Sequence, residues 1–329
     1  MNDRAVNLLE QYDIRVDKTR KGRGAIVCDT DRGCLIFKEY GGNEERLNLQ
    51  DKLLRHIHDC SILKVEELLP TREGTLYVKD NDGVKYILKT YQEGRECNIF
   101  DRSECQEAVR ILAQLHAASE FEVTGEWKGL LFYPERDYEK HNRELKKIKR
   151  YLKQRSQKTA FEIALLHTYD FFLEQALEVT AQWEEYSRLR DRLTDPDKMT
   201  LCHGDYQYHN ILKCDDGWFL MNFERCIPDD PVRDLGLLMR KLLEKNGWSA
   251  SLGKDLLDTY EKERPLCALS RIDLYYRLSY PEKFWKIANF YYNSGKAWIP
   301  DRNREKLEKL IDQEQDKQKF LEEVLRKCT

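Results

Sequence analysis

The sequence lacks any long apolar run and any large excess of one charge. No stretch approaches the roughly 18 apolar residues that a membrane-spanning helix needs, and residues 1–24 lack the apolar centre of a secretory signal. The 56 basic and 59 acidic residues give a formal net charge of −3, so no bulk field attracts nucleic acid or an anionic membrane. We therefore expect cytoplasmic synthesis, with neither a nucleic acid nor a membrane as a partner.

Paired cysteines, repeats and proline-rich linkers are also missing. The 10 cysteines are scattered without a CxxC pair, which argues against a zinc ribbon or a dense disulfide framework. Hydrophobic residues make up 41% of the chain and include 18 Tyr, 12 Phe and 6 Trp, enough to build a sizeable interior. Because 329 residues exceed the usual size of one hydrophobic core, we expect two lobes.

Strand patterns are concentrated in the first 92 residues. The alternation of apolar and polar residues from Arg15 to Tyr40 predicts two strands joined by a turn at residues 31–33, and residues 46–59 have the spacing of an amphipathic helix. A second β segment, residues 75–91, contains an Asn-Asp-Gly hairpin turn. We expect an N-terminal lobe at 1–92 and a largely helical lobe at 93–329, which includes a non-helical segment at 200–226.

The segment 200–226 carries the residues of greatest chemical interest. Phosphoryl transfer needs a carboxylate near the acceptor hydroxyl, an oxygen ligand for magnesium, and a second metal ligand from a neighbouring strand end. Asp205, Asn210 and Asn222 have that order and spacing.

The motif at the start of this segment resembles a known catalytic loop. His203-Gly204-Asp205 followed by Asn210 matches the HGDxxxxN loop of the aminoglycoside and choline kinase-like families, and LAQLH, which ends at His116, resembles their LxxLH helix. The resemblance implies an α+β, bilobal, protein kinase-like fold with a small antiparallel-sheet N-lobe and a large, mainly helical C-lobe. It also implies that Asp205 is the catalytic base, that Asn210 binds magnesium, and that ATP and Mg²⁺ are the cofactors of an active enzyme. His116 also fits a buried, hydrogen-bonded core histidine.

The next motif departs from the family. These families carry an Asp-Phe or Asp-Trp pair after the loop, and its Asp binds the metal, whereas this chain has Asn222-Phe223. Asn222 keeps an oxygen but lacks the charge that holds a hard divalent cation, so metal binding should be weakened. Glu224, two residues later, could substitute as a ligand. Asp234 resembles a downstream family Asp that caps the next helix and supports the loop.

The first lobe contains a candidate nucleotide-binding lysine. Lys38 lies where these families carry an interior-strand lysine that neutralises phosphate oxygens, and a helix carboxylate, Glu44 or Glu45, is its expected partner; of the two, Glu45 is the predicted site residue. The turn at residues 21–24, Lys-Gly-Arg-Gly, fits either a phosphate-covering loop or an ordinary hairpin.

A narrower resemblance concerns the CotS-type bacterial spore-coat proteins. Residues 203–212 and 280–311 carry it, although the aromatic cluster around Phe284, Trp285 and Phe290 also fits core packing. The resemblance implies synthesis in the mother-cell cytoplasm, incorporation into the spore coat, and other coat proteins as partners. Two functions stay open. The first is a coat protein with a kinase fold and a degraded site, without a cofactor. The second is an active ATP- and Mg²⁺-dependent phosphotransferase that phosphorylates a hydroxyl of a small metabolite.

Overall fold

The structure is a computed structural model that describes residues 3–22, 24–122, 134–193, 198–294 and 301–325. The chain forms two compact units. The first comprises Met1–Leu131, Asp197–Leu238 and Thr259–Arg264, and the second comprises Phe132–Pro196, Met239–Asp258 and Pro265–Thr329. Segment 200–226 therefore belongs to the same unit as the first 92 residues, and the lobe boundary after residue 92 stays a prediction. Arg23 of the glycine-containing turn and residues 295–300 of the coat-like segment lie outside the described residues.

Strands dominate the beginning of the first unit. In chain order the elements are a 3-10 helix (Asp3–Gln11), β1 (Val16–Gly22), β2 (Ala25–Thr30), β3 (Gly33–Glu39), α1 (Glu44–Cys60), β4 (Lys64–Val65), β5 (Leu68–Leu69), β6 (Val78–Lys79), β7 (Lys85–Thr90), β8 (Arg95–Glu96), α2 (Arg102–Ala118) and β9 (Glu120–Glu122). Within the described residues, the main sheet has the order β1-β2-β3-β7-β5, and β6 pairs with β7. These strands pair in antiparallel fashion.

The prediction of two strands between Arg15 and Tyr40 was wrong, because this stretch forms β1, β2 and β3. β1 is exposed along nearly its whole length, so its sequence has no alternation of apolar and polar residues to mark it as a strand. The predicted turn does join β2 to β3, where Gly33 has a φ of 90°. α1 is confirmed. Asn43 accepts a hydrogen bond from the Arg46 amide at its start, and Leu47, Leu53 and Ile57 form part of its buried face.

The second part of the first unit contains the segment with the catalytic-loop motif. Its elements are β10 (Lys198–Cys202), a 3-10 helix (Tyr208–Asn210), β11 (Ile211–Cys214), β12 (Gly217–Leu220), a 3-10 helix (Phe223–Arg225) and β13 (Ile227–Asp229). In the described part of the chain, one small sheet has the order β4-β12-β11-β8 and another the order β13-β10-β9. The β4-β12 and β8-β11 pairings attach the motif segment to the N-terminal part of the unit.

The second unit is helical in its described residues. It contains α3 (Pro134–Gln154), α4 (Ala160–Leu193), α7 (Ala268–Ser279), α8 (Glu282–Asn293), α9 (Asp301–Asp312), α10 (Glu314–Phe320) and a π-helical turn (Leu321–Leu325), while α5 (Val232–Lys245) and α6 (Ala250–Glu263) have residues in both units. The helices expected from the periodicity are confirmed, and so is the α+β class. Phe284 is fully buried in the helical core, but Phe290 is 55% exposed, so Phe290 does not share the core packing expected of the cluster.

The described residues also bear on membrane insertion and on disulfide bonds. Among the described residues, no helix is both long enough and apolar enough to cross a bilayer. The described cysteines are free thiols, and Cys28, Cys97, Cys105, Cys202 and Cys226 are buried.

Gly94 lies where β8 approaches β11, and we predict that Gly94→Ala destabilises the protein. A Cβ at residue 94 would lie 2.8 Å from the Lys213 carbonyl oxygen and 2.7 Å from the Cys214 sulfur, and a paired backbone oxygen cannot retreat easily. We expect a loss of about 1–3 kcal/mol in the free energy of unfolding, measured by urea denaturation. Gly41→Ala is the matched control, because nothing lies within 4 Å of its added Cβ. Equal stability of the two variants would contradict the close contact.

Candidate functional site

The loop after β10 is braced by the His203 imidazole. The Nε2 atom of His203 donates a hydrogen bond to the Met221 carbonyl at 3.0 Å, and Nδ1 accepts one from the Asp205 amide at 3.2 Å. Gly204 has a φ of 77°, which an L side chain adopts only with strain. These contacts fix the backbone of the loop from which the Asp205 side chain projects.

A buried carboxylate holds the same loop from the opposite side. Asp234 accepts backbone hydrogen bonds from His203 at 2.6 Å and from Gly204 at 2.9 Å. The prediction that Asp234 caps the following helix was wrong: α5 begins at Val232, and Asp230 accepts the Val232 amide at 3.0 Å. Asp234 lies within the first turn of α5, and its carboxylate supports the loop.

His116 belongs to this support and not to the reacting groups. Its Nδ1 lies 2.7 Å from the Tyr260 hydroxyl and its Nε2 lies 3.4 Å from the Asp234 carboxylate, and the side chain is fully buried. Burial lowers the pKa of His116, although the Asp234 carboxylate acts in the opposite direction. The interpretation as a hydrogen-bonded core histidine is confirmed.

A chain of amide contacts connects the predicted site residues. Asn210 donates from Nδ2 to the Asp205 backbone carbonyl at 2.8 Å and accepts at Oδ1 from Asn222 Nδ2, also at 2.8 Å. Asn222 in turn accepts at Oδ1 from the Lys38 ammonium at 3.5 Å. The Asp205 carboxylate accepts from Gln207 Nε2 at 2.8 Å, a contact that the sequence did not indicate. Residues from β3, the loop and the segment after β12 thus lie in one connected set.

The expected partner of Lys38 is replaced. Lys38 forms an ion pair with Glu224 at 2.9 Å. Glu45 is exposed on α1, and Glu44 accepts a hydrogen bond from the Tyr77 hydroxyl. The pairing of Lys38 with Glu44 or Glu45 is therefore not formed, because the first turn of α1 presents these two carboxylates elsewhere.

Sequence reasoning missed a second lysine, Lys89, on β7. Its side chain is fully buried, and its Nζ lies 2.7 Å from Glu66 Oε2, 2.7 Å from Glu224 Oε1 and 2.9 Å from Asn222 Oδ1. In the β3-β7 register, Lys89 is opposite Ile36 and Lys38 is opposite Ile87, so both lysines project from the same face of the sheet. A lysine between Leu88 and Thr90 in a strand-like run was the signal available in the sequence.

Glu66 is the second missed residue. It is fully buried and accepts the Asn222 amide at 2.7 Å and the Phe223 amide at 2.9 Å. These bonds hold Asn222 in the left-handed region, at a φ of 70°, where asparagine is tolerated better than most residues. Glu66 therefore fixes the backbone at the position where the kinase-like families carry their metal-binding aspartate.

Charges at the site compensate one another. Burial alone would raise the pKa of Glu224, but the Lys89 and Lys38 ammonium groups outweigh it and lower the pKa to about 2. Burial alone would lower the pKa of Lys89, but Glu66 and Glu224 outweigh it and raise the pKa. Glu224 and Lys89 are consequently both charged at neutral pH.

The assignment of Asn210, Asn222 and Glu224 as metal ligands stays a prediction, and their present contacts do not fit a divalent cation. The three side chains lie together. However, Asn210 Oδ1 accepts from Asn222, and both Asn222 Oδ1 and Glu224 Oε1 face the two lysine ammonium groups. A hard cation needs oxygens with uncompensated negative charge. We therefore assign no step to a metal at this site.

Comparison with known proteins identifies relatives over nearly the whole chain. A family model described as "Spore coat putative kinase YutH" matches residues 5–324. Spore coat protein S of Bacillus subtilis (strain 168) is 23% identical, over 96% of this chain and 92% of that protein.

Three solved phosphotransferase structures share this fold. An aminoglycoside phosphotransferase from Alicyclobacillus acidocaldarius superposes with a TM-score of 0.81 at 20% identity, covering 97% of this chain and 94% of that one. Spectinomycin phosphotransferase APH(9)-Ia, in complex with ADP and spectinomycin, gives 0.64 at 14% identity, with 98% of each chain covered. Amicoumacin kinase hAmiN, in complex with AMP-PNP and Ca²⁺, gives 0.64 at 12% identity, covering 97% and 94%. The predicted kinase-like fold is confirmed.

Gly204→Ala tests the geometry of the loop. A Cβ at residue 204 would lie 1.9 Å from the Arg225 carbonyl oxygen, so the variant must move the loop or the segment after Asn222. We expect a loss in unfolding free energy well above the roughly 1 kcal/mol typical of a residue forced to positive φ. Gly33→Ala has the same kind of φ but nothing within 4 Å of its Cβ, so it isolates the cost of strain without collision. If both variants lose equal stability, the close approach to Arg225 is refuted.

Proposed function

The chain belongs to the spore-coat YutH family, and from this membership and the geometry of the site we propose that it is a spore-coat protein whose kinase-like site binds a nucleotide without transferring its phosphate. The protein is made in the mother-cell cytoplasm and joins other coat proteins in the shell. The coat-protein relative from Bacillus subtilis supports this location.

The side-chain contacts of Asn222 are the observation on which the proposal rests. In the kinase-like families this position holds the charged metal ligand, but here it is an amide whose oxygen accepts hydrogen bonds from Lys89 and Lys38. The neighbouring carboxylate, Glu224, is paired with the same two lysines. Phosphoryl transfer depends on positive charge that neutralises the transferring phosphoryl group and on a metal ion held in a fixed position. A neutral Asn222 and a Glu224 that is paired with two lysines therefore oppose phosphate transfer.

Nucleotide binding has separate support. Lys38 is 25% exposed, lies on the strand that carries the phosphate-binding lysine in the kinase-like families, and keeps an ammonium group available at the edge of the Glu224 pair. The solved relatives with this fold include complexes with ADP and with AMP-PNP. In the proposed function, Lys38 contacts the nucleotide phosphates.

A second function is favoured by the intact catalytic loop. Asp205 is only partly buried, and Asn210 and His203 hold its backbone in place. In an active ATP- and Mg²⁺-dependent phosphotransferase, Asp205 would accept the proton of a metabolite hydroxyl as that oxygen attacks the terminal phosphate. Both functions include nucleotide binding, so phosphate release from ATP, compared between the wild type and Asp205→Asn, is the measurement that separates them.

The first measurement is the thermal stability of the protein with ATP. A ligand that binds only the folded state stabilises it by about 2.7 kcal/mol when present at 100 times its dissociation constant, so millimolar ATP should raise the melting temperature by several degrees. Lys38→Met should remove most of this rise, whereas Lys85→Met, on the neighbouring strand β7, should keep it. A melting temperature unchanged by ATP would eliminate both nucleotide-based functions and leave only the coat role.

The second measurement is phosphate release from ATP in the presence of Mg²⁺. We expect the wild-type protein and Asp205→Asn to release phosphate at the same background rate, because no charged metal ligand is free to position the terminal phosphate. An Asp205→Asn variant that binds ATP normally but releases phosphate at least about tenfold more slowly than the wild type would establish Asp205-dependent transfer of the terminal phosphate to water, with ADP as the leaving group, and would refute the proposed loss of phosphate transfer.

A further inference from the structure

The Lys89 ammonium lies in a cage of oxygens that belongs to the site. Two carboxylates, Glu66 and Glu224, and one amide oxygen, Asn222 Oδ1, surround Nζ at 2.7–2.9 Å. These are the distances of charge-assisted N–H···O bonds. Ligand distances to Mg²⁺ are about 2.0–2.1 Å and those to Ca²⁺ about 2.3–2.6 Å, so the cage is sized for an ammonium group.

The positive and negative charges at the cage also balance. Glu66 and Glu224 carry two negative charges, and Lys89 and Lys38 carry two positive charges, so the described side chains leave no net negative charge to attract a cation. A third ligand with charge is missing, because residue 222 is asparagine. An added divalent cation would have to displace a buried ammonium group from two carboxylates, which costs much more than filling an open site.

The oxygens of the cage come from the elements that define the active centre in this fold. Asn222 follows β12, Glu224 lies in the 3-10 helix after it, and Glu66 follows β4, which pairs with β12. Lys89 reaches them from β7. The lysine therefore occupies the place between the sheet and the motif segment from which a metal would contact residue 222.

We propose that Lys89 serves as a resident cation, a covalently attached replacement for the divalent ion of active kinases, and that nucleotide binding at this site is therefore independent of metal. This inference rests on the proposed function only for the nucleotide, since the exclusion of a metal by Lys89 concerns the protein alone. Lys38, the more exposed of the two lysines, provides the positive charge that faces the phosphates.

Titration of the nucleotide-free protein with Mn²⁺, followed by the electron paramagnetic resonance signal of free Mn²⁺, tests the exclusion. The wild type should show no site at the cage, and Lys89→Met should gain one, because Glu66 and Glu224 lose their internal cation. Lys89→Met/Asn222→Asp should bind at least about tenfold more tightly than Lys89→Met, since ligand charge sets the affinity for hard cations. Asn222→Asp alone should gain little, because Lys89 still fills the cage.

The controls assign the signal to the cage. Lys85→Met removes a lysine four residues earlier on β7 and should leave the Mn²⁺ titration like that of the wild type. Glu224→Gln, added to Lys89→Met, should abolish the gained site. A wild-type Mn²⁺ site that Glu224→Gln removes would overturn the inference, and so would a folded Lys89→Met variant without a new site.

A second measurement uses the wild-type protein. It avoids a substitution of Lys89, because loss of the ammonium group leaves the buried negative charge of Glu66 without its counter-charge. The dissociation constant of ATP for the wild type should differ by less than about twofold between excess EDTA and excess Mg²⁺. Tightening by Mg²⁺ of about tenfold or more would show that a metal enters the site and would refute the resident cation. Absence of any ATP binding would refute the proposed nucleotide site, while the Mn²⁺ titration would still decide the role of Lys89.

Discussion

The buried ion cluster around Lys89 is the interaction on which the site depends. It joins parts of the chain that are far apart in sequence: the turn after β4, strand β7 and the segment after β12. A buried charge is tolerated only when it is paired and hydrogen-bonded, and removal of one partner from a buried ion pair typically costs about 3–5 kcal/mol. These three segments therefore keep a common position or lose much of the stability of the unit.

Two buried carboxylates outside the recognised motif set the shape of the catalytic loop. Glu66 accepts two consecutive backbone amides, those of Asn222 and Phe223, and Asp234 accepts two others, those of His203 and Gly204. The His203 imidazole then connects the two supported segments through the Met221 carbonyl. Backbone contacts to these three side chains thus hold the loop that carries Asp205 and Asn210.

The fold of this protein does not by itself establish the chemistry of its site. The three solved structures compared above are phosphotransferases, and the family to which the chain belongs is one of spore-coat proteins. Function is a property of the site and not of the fold, and here the loop that carries Asp205 lies beside Asn222, whose side-chain oxygen contacts two lysines.

The sequence by itself determined those features that rest on local patterns. The HGD motif with Asn210, the amphipathic face of α1 and the departure at Asn222 were all evident from consecutive residues, because motifs and helical periodicity are local. Only the tertiary structure decided which charges meet. Lys38 pairs with Glu224 instead of Glu44 or Glu45, and Lys89 is buried against Glu66. Both results follow from strand register and from contacts between residues far apart in the chain: Lys89 and Glu66 are 23 residues apart, and Lys38 and Asn222 are 184 residues apart. No local pattern distinguishes such a lysine from a solvated one, since the energy of a charge depends on what surrounds it after folding.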